Sequence, residues 1–92
     1  MSEPVYEGLQ GVFEGLQHVF NAVFRRTDIV VTSELTARDV PGWDSFRYIS
    51  LIAATEERFG VHLEESDIEK FRCVGDLAEA VARRIAARTG GA

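Results

Sequence analysis

The sequence predicts an all-α fold: a small four-helix bundle with a long loop between helices 1 and 2 and a short third helix. Apolar residues recur at helical spacing in residues 9–24 and again in 74–85, as they do on the buried face of an α-helix. Between these segments, a turn opens a further helical pattern that a glycine closes. With 92 residues, 46% of them hydrophobic, the chain fills one modest core. We therefore expect one domain over residues 1–92, with an ordered part at about 6–88.

The first helix is predicted from an internal repeat, in which EGLQGVF at 7–13 is followed by EGLQHVF at 14–20. At about 100° per residue, this segment divides into an apolar and a polar face. The apolar stripe consists of Leu9, Val12, Phe13, Leu16, Val19, Phe20, Val23 and Phe24. The polar face consists of Glu7, Gln10, Glu14, Gln17, His18 and Asn21. We expect the helix to end at residues 25–28 and residues 1–5 to be frayed.

Three glycines, Gly8, Gly11 and Gly15, line one edge of the apolar stripe. Because a glycine costs a helix about 1 kcal/mol relative to alanine, we expect a neighbouring backbone to approach closely and compensate this cost. Replacing Gly11 and Gly15 with leucine is then expected to destabilise the fold.

The connection from Ile29 to Val40 is predicted to be a long loop, anchored to the core by its apolar residues Ile29, Val31, Leu35 and Val40. The β-branched residues at 29–31 favour a short strand. Since the sequence offers no evident partner strand, we expect a loop there instead.

The stretch Pro41-Gly42-Trp43-Asp44-Ser45-Phe46 joins a turn to the start of the second helix, which is predicted over 45–59 with Gly60 as its C-terminal cap. The Ser45 hydroxyl then lies at an exposed helix start, where unpaired backbone N–H groups favour a nearby anion such as a phosphate ester. The alternative is that Ser45 serves only as the helix N-cap.

The second helix is predicted to have a core face and a face that meets partners. The core face consists of Tyr48, Ile49, Ile52, Ala53 and Phe59. The partner face consists of Arg47, Ser50, Ala54, Glu57 and Arg58. The face of the second helix that is buried determines which side chains remain exposed to a partner protein.

The last third of the sequence predicts two more helices. Residues 66–69 (SDIE) fit a capping box that opens a short third helix ending near Phe71. The fourth helix has the apolar stripe Val74, Leu77, Ala78, Val81 and Ile85. Just before it, the lone Cys73 is expected to be inert packing rather than a reactive thiol. Residues 89–92 are expected to form a loose tail.

Composition and spacing exclude several classes of function. The net charge of −5 argues against nucleic acid as a partner. No apolar run is long enough for a membrane span, and a single cysteine suits a reducing, cytoplasmic compartment. Histidine, cysteine and carboxylate spacing indicates neither a metal site nor a catalytic set. The acidic middle of the chain suits a partner with a basic patch, although a solvated surface explains it equally well.

The residues around Ser45 resemble the acyl carrier protein family. The resemblance rests on GWDSF at 42–46 with Ile49 and Ile52, and it continues through EERFGVHL at 56–63, EESDI at 64–68 and VGDL at 74–77. It covers roughly residues 9–85. In that family, an Asp-Ser-Leu signature opens the second helix and its serine carries 4′-phosphopantetheine. The matching positions are Asp44, Ser45 and Phe46.

The resemblance implies a carrier that is not itself an enzyme. A phosphopantetheinyl transferase would modify Ser45 from coenzyme A with Mg²⁺, and the prosthetic thiol would hold an acyl group as a thioester. Acyl-loading and acyl-processing enzymes of a specialised polyketide, fatty-acid-like or secondary-metabolite pathway would be the further partners of this monomer. Asp44 flanks the site, and Trp43, Phe46, Arg47 and Glu57 are expected to contact partners.

Two alternatives stay open at this point: a peptidyl carrier holding an amino acid, and a helical interaction module that carries nothing. The chain also departs from the family in two places. Arg47 and Arg58 give mixed charge to a second-helix face that is usually acidic. Cys73 stands where a helix-capping threonine is common.

Overall fold

The computed structural model describes residues 4–90, and within that range the all-α prediction is confirmed. The elements are α1 (Pro4–Phe24), a 3₁₀ turn (Ala37–Asp39), α2 (Ser45–Phe59), α3 (Glu65–Ile68) and α4 (Val74–Gly90). Residues 29–31 lie in the loop, as expected, since 4–90 contain no strand. None of the helices described is long and apolar enough to cross a membrane.

The two chain ends differ from the prediction. Since α1 begins at Pro4, the expectation of fraying is wrong for residues 4 and 5, and residues 1–3 lie outside the described part. The expected loose tail is also wrong for residues 89 and 90, which belong to α4, while residues 91 and 92 lie outside the description. Proline suits the first turn of a helix, where its missing N–H leaves no gap.

The core forms where α1 packs against both α2 and α4. The predicted stripe of α1 is confirmed, because Val12, Leu16, Val19, Phe20 and Phe24 are buried and the other three members pack partly buried against them. The predicted stripe of α4 also lies inward, with Ile85 half-buried and Ala80 as an additional buried residue. His18 is exposed, as predicted.

Gln17 differs from its assignment to the polar face of α1. Its side chain is half-buried, donates a hydrogen bond to the Ile29 carbonyl oxygen at 2.6 Å and accepts one from the Val31 N–H at 3.1 Å. These two bonds satisfy backbone groups of a loop segment that has no strand partner. They hold the loop close to α1 while Ile29 and Val40 are buried in the core, which confirms them as anchors.

The glycines of α1 have different surroundings. A Cβ added at Gly15 would lie 2.5 Å from Cζ of Phe59, so α2 closely approaches α1 there, through a side chain rather than through the expected backbone. Gly11 is exposed and a Cβ there would meet nothing within 4 Å. The predicted approach of a neighbouring backbone is therefore wrong at both positions: side chains of α2 approach Gly15, and nothing approaches Gly11.

α2 has the predicted ends, and Gly60 closes it in the left-handed conformation at φ 64°. Its predicted core face is partly wrong. Leu51, Ile52 and Thr55 are buried, whereas Ile49 and Ala53 point to solvent. The buried threonine, which an apolar pattern does not select, is accommodated because its hydroxyl donates to the Leu51 carbonyl oxygen at 2.7 Å.

The starts of α3 and α4 lack a side-chain N-cap of the kind predicted at 66–69. α3 begins at Glu65 after Glu64, which makes no side-chain cap hydrogen bond, so the predicted capping box at 66–69 is wrong. α3 also ends at Ile68, before Phe71. At the start of α4, the loop carbonyl oxygens of Leu35 and Ser33 accept hydrogen bonds from the N–H groups of Val74 (2.8 Å) and Gly75 (2.9 Å). The loop thereby satisfies helix-end donors that otherwise need a cap.

Candidate functional site

Ser45 is the first residue of α2, and its side chain is exposed. Its hydroxyl has no hydrogen-bond partner among the residues that the structure describes. The first N–H groups of a helix have no partner within it, and the helix dipole adds partial positive charge at this end. The Ser45 oxygen therefore lies open to solvent beside a local field that favours a negatively charged substituent.

Asp44, and not Ser45, is the N-cap of α2. Oδ1 of Asp44 accepts a hydrogen bond from the Arg47 N–H at 2.8 Å, and the Asp44 carbonyl oxygen accepts one from the Tyr48 N–H at 2.9 Å. The backbone of Asp44 is extended, as is usual for a cap residue. The interpretation of Ser45 as only an N-cap is therefore wrong, and its hydroxyl has no structural task at this helix start.

A cavity of about 410 Å³ opens beside Ser45. The loop, the start of α2 and the α3–α4 junction wall it, with mostly apolar side chains. The lining residues are Ala37, Trp43, Asp44, Ser45, Tyr48, Leu51, Phe71, Arg72, Cys73, Val74 and Leu77. Sequence reasoning did not find this cavity, because its walls come from segments far apart in the chain and share no common period.

Trp43 faces inward, although it directly precedes the site. Its half-buried ring lies edge-on to Phe20, with centroids 5.5 Å apart, and tilted against Phe24 at 5.7 Å. Aromatic pairs at these separations add stability beyond the area they bury. The tryptophan thereby joins the start of α2 to the end of α1 and holds one wall of the cavity.

Tyr48 joins α2 to α3 across the same cavity. Its hydroxyl donates to the Ile68 carbonyl oxygen at 2.8 Å, at the last residue of α3. Burial raises the pKa of the Tyr48 phenol above its ordinary value of 10.0. Helical periodicity placed Tyr48 on a core face but did not reveal this hydrogen bond. The signal that could have revealed it is that a buried tyrosine hydroxyl usually finds a hydrogen-bond partner.

Of the other residues expected to contact partners, Phe46 and Glu57 lie on the exposed side of α2, whereas Arg47 does not. Phe46 is 73% exposed and Ile49 67%, and Glu57 is exposed on the same helix. Arg47 is half-buried, with its guanidinium 5.8 Å from the centre of the Phe24 ring. The structure thus brings Ser45, Asp44 and Phe46 together in one exposed patch and folds Arg47 back onto α1.

Cys73 is a free, half-buried thiol that lines the cavity. Within residues 4–90, no group of three histidine, cysteine or carboxylate side chains is arranged to hold a metal ion. His62 lies near Glu56, with 3.4 Å between ring nitrogen and carboxylate, and not near Ser45. The arrangement around Ser45 is an accessible hydroxyl beside an apolar cavity.

Comparisons with known proteins agree with this geometry. The family model of the phosphopantetheine attachment site matches residues 26–81, more than half of the chain. An acyl carrier protein of Thermotoga maritima is 33% identical over 55 residues, which are 60% of this chain and 68% of that protein. The solution NMR structure of the holo acyl carrier protein of Geobacter metallireducens matches with a TM-score of 0.82 and 30% identity, over 88% of this chain and 93% of that one.

Proposed function

Since this chain belongs to the acyl carrier protein family, we propose that Ser45 is the residue that bears its 4′-phosphopantetheine arm. One observation carries the assignment: the Ser45 hydroxyl is exposed and has no hydrogen-bond partner in the described chain, while Asp44 caps the helix in its place. Family membership removes the alternative of a helical module that carries nothing.

The residues present fit such a group. A phosphodiester on Ser45 would lie at the positive end of α2, near N–H groups that have no partner within the helix. When attached, the group supplies a thiol that holds the acyl cargo as a thioester. Asp44 caps the helix start through its bond to the Arg47 N–H, and Trp43, Tyr48 and Leu51 give the adjoining cavity a largely apolar wall.

The partners follow from the carrier role. The one carboxylate beside the accessible Ser45 hydroxyl, that of Asp44, is bound to the Arg47 N–H. A phosphopantetheinyl transferase would therefore supply the base, transfer the phosphopantetheine moiety of its substrate coenzyme A to the Ser45 oxygen and release adenosine 3′,5′-bisphosphate. Acyl-loading and acyl-processing enzymes would then meet the exposed residues around Ser45, Phe46 foremost. We place the carrier as a monomer in the cytoplasm, where its single cysteine stays reduced. We propose that it serves a specialised polyketide, fatty-acid-like or secondary-metabolite pathway.

The test is intact-mass measurement before and after incubation with coenzyme A, Mg²⁺ and a broad-specificity phosphopantetheinyl transferase. We expect the native chain to gain one phosphopantetheine and Ser45→Ala to gain none. Ser66→Ala serves as the matched control, because Ser66 is an exposed serine in another helix, and it should be loaded like the native chain. Loading of Ser45→Ala, or no loading of well-folded native chain by several transferases, would overturn the assignment.

A further inference from the structure

A single cation borders the cavity beside Ser45. Among the described residues that line this cavity, only Asp44 and Arg72 carry charge, and their charges are of opposite sign. Arg72 lies between α3 and α4, far along the chain from the start of α2, and the fold brings both to the same cavity. Arg72 is exposed, so its guanidinium is open to a negatively charged group that enters from solvent.

The backbone of Arg72 is held in place, whereas its side chain is not. Its N–H donates a hydrogen bond at 2.9 Å to Oδ2 of Asp76, in the first turn of α4. Its guanidinium makes no hydrogen bond or ion pair with any residue that the structure describes. Arg84, by contrast, is paired with Asp67 at 3.2 Å. Arg72 therefore has a defined position at the cavity and a charged end without a partner in the described chain.

Arg47 is the basic residue nearest to Ser45 in the sequence, but its side chain is engaged elsewhere. Its Nη1 donates a hydrogen bond to the Val23 carbonyl oxygen at 3.3 Å, and its guanidinium carbon lies 5.8 Å from the centroid of the Phe24 ring. Val23 and Phe24 are the last two residues of α1, where the helix dipole favours a cation. Arg47 thus stabilises the end of α1, which leaves Arg72 as the cation of the cavity.

A phosphodiester on Ser45 would add negative charge where carboxylates already lie. Asp44 directly precedes Ser45, and the Asp76 carboxylate adjoins the backbone of Arg72. The N-terminal end of a helix such as α2 offers only about half a positive elementary charge. That amount does not balance Asp44 and a phosphodiester together, so a full positive charge from Arg72 would be favourable there.

We propose that Arg72 is a positioning residue that binds the phosphodiester of the arm on Ser45 and holds the first part of the arm across the mouth of the cavity. The inference rests on the proposed function, because it takes Ser45 as the attachment residue. A guanidinium matches the oxygens of a phosphate group and forms charge-assisted hydrogen bonds with them. Because Arg72 is exposed, the contact favours the bound arm over the free arm by up to about fivefold. The arm therefore has a preferred direction and still reaches partner enzymes.

The test uses the holo protein, made by enzymatic loading and verified by intact mass. Phosphorus NMR reports the phosphodiester, and nitrogen NMR of labelled protein reports the Arg72 Nε–H group. We expect loading to shift the Arg72 Nε–H signal in the native chain, and no shift in Ser45→Ala treated in the same way. The phosphorus signal of Arg72→Gln should move toward its position in urea-denatured holo protein. Arg72→Lys should keep part of the native shift, because lysine retains the charge without the planar fork.

Arg83→Gln is the matched control. Arg83 is an exposed arginine of α4 that borders a neighbouring groove together with Arg72 but does not line the cavity beside Ser45. Its loss changes the net charge equally and should leave the phosphorus signal unchanged. Raising the salt concentration from about 0.1 M to about 1 M should reduce the difference between native protein and Arg72→Gln, because the Debye length falls from about 10 Å to about 3 Å. Arg72→Gln keeps the backbone bond to Asp76, so the fold should persist, and the backbone nitrogen spectrum checks this.

Three results would overturn the proposal: an Arg72 signal that loading does not shift, equal effects of Arg72→Gln and Arg83→Gln on the phosphorus signal, or a difference that added salt does not reduce. The mass gain at Ser45 would stand in each case, since loading does not depend on this contact. If Ser45 gained no phosphopantetheine, the mass measurement would show it, and both proposals would fall together.

Discussion

At the scale of single residues, Asp44 and Ser45 are neighbours with separate tasks. Because Asp44 makes the capping bond, Asp44→Ala should lower the free energy of unfolding by about 1 kcal/mol. Ser45→Ala removes an exposed hydroxyl without a partner and should change it by less than about 0.5 kcal/mol. Urea denaturation followed by circular dichroism measures both.

Asp44→Ser is the control for this pair, because serine also caps helices well and should restore most of the lost stability. If Ser45→Ala were as destabilising as Asp44→Ala, the hydroxyl would have a structural role after all. In that case, the failure of Ser45→Ala to be loaded could reflect loss of folding rather than loss of the attachment hydroxyl.

Tyr48 gives a prediction about pH. Its folded-state pKa is raised above the ordinary 10.0 by burial, so the stability linked to its protonated form is complete below about pH 10 and is lost as the pH rises through the raised pKa. Tyr48→Phe removes both this titration and the bond to the Ile68 carbonyl oxygen. We expect the variant to be about 1 kcal/mol less stable at pH 7, with a difference that narrows above pH 10.

Denaturation of both proteins between pH 7 and 11.5 provides the measurement. Amide exchange at residues 69–71 is a second readout, because the lost hydrogen bond should speed exchange there more than in α1. A difference in stability that stays constant or widens with pH would contradict the assignment of this titration to Tyr48.

At the scale of elements, the approach of α2 to α1 makes Gly11 and Gly15 a matched pair. Leucine at Gly15 would have to displace the Phe59 ring and the Arg58 side chain, so Gly15→Leu should destabilise the fold by about 1–3 kcal/mol. Gly11 faces open space, so Gly11→Leu should stabilise the helix by up to about 1 kcal/mol. Thermal unfolding of the two variants tests this opposition, and effects of the same sign would contradict it.

The helices also show how far the sequence predicts structure. The buried faces of α1 and α4 were predicted correctly, because each helix buries one clean apolar stripe, from Val12 to Phe24 and from Val74 to Ile85. α2 was placed correctly along the chain but rotated wrongly, because Ile49 is apolar without being buried and Thr55 is polar without being exposed. The rotation of a helix is inferred from its apolar pattern, and these two residues break that pattern in α2.

At the scale of the whole molecule, Phe20 lies where the elements meet. It is fully buried, stacks on Phe24 and meets Trp43 from the loop that leads into the site. Phe20→Ala should lower the free energy of unfolding by about 3–5 kcal/mol. That loss is a large part of the roughly 5–15 kcal/mol by which folded domains are typically stable. Phe59→Ala, at a half-buried position, should be less costly.

Fluorescence of the single tryptophan reports the same change, because Trp43 loses its edge contact with Phe20 in that variant. The control is Phe46→Ala, an exposed phenylalanine whose loss should leave stability nearly unchanged. Equal losses for Phe20→Ala and Phe46→Ala would mean that the core is not centred where the burial indicates.

The proposed attachment residue, Ser45, could be selected from the sequence, whereas its surroundings could not. Ser45 stands in a short local signature that a reader of the chain can find. The cavity beside it depends on Ala37, Phe71 and Leu77, which meet only after folding. The alternative that Ser45 is only the N-cap named the wrong neighbour, since Asp44 and Ser45 are both good cap formers and only their backbone geometry distinguishes them.

The hydrogen bonds of the long loop determine which part of the carrier can move its cargo between enzymes. Gln17 holds the loop at residues 29 and 31, and the first two amides of α4 hold it at residues 33 and 35. The polypeptide before Ser45 is thus fixed to α1 and α4 at several points and is not a flexible linker. Movement of the acyl cargo between enzymes must then come from the prosthetic arm and from rotation of the whole domain. The serine itself is presented to each partner at one fixed place on the surface.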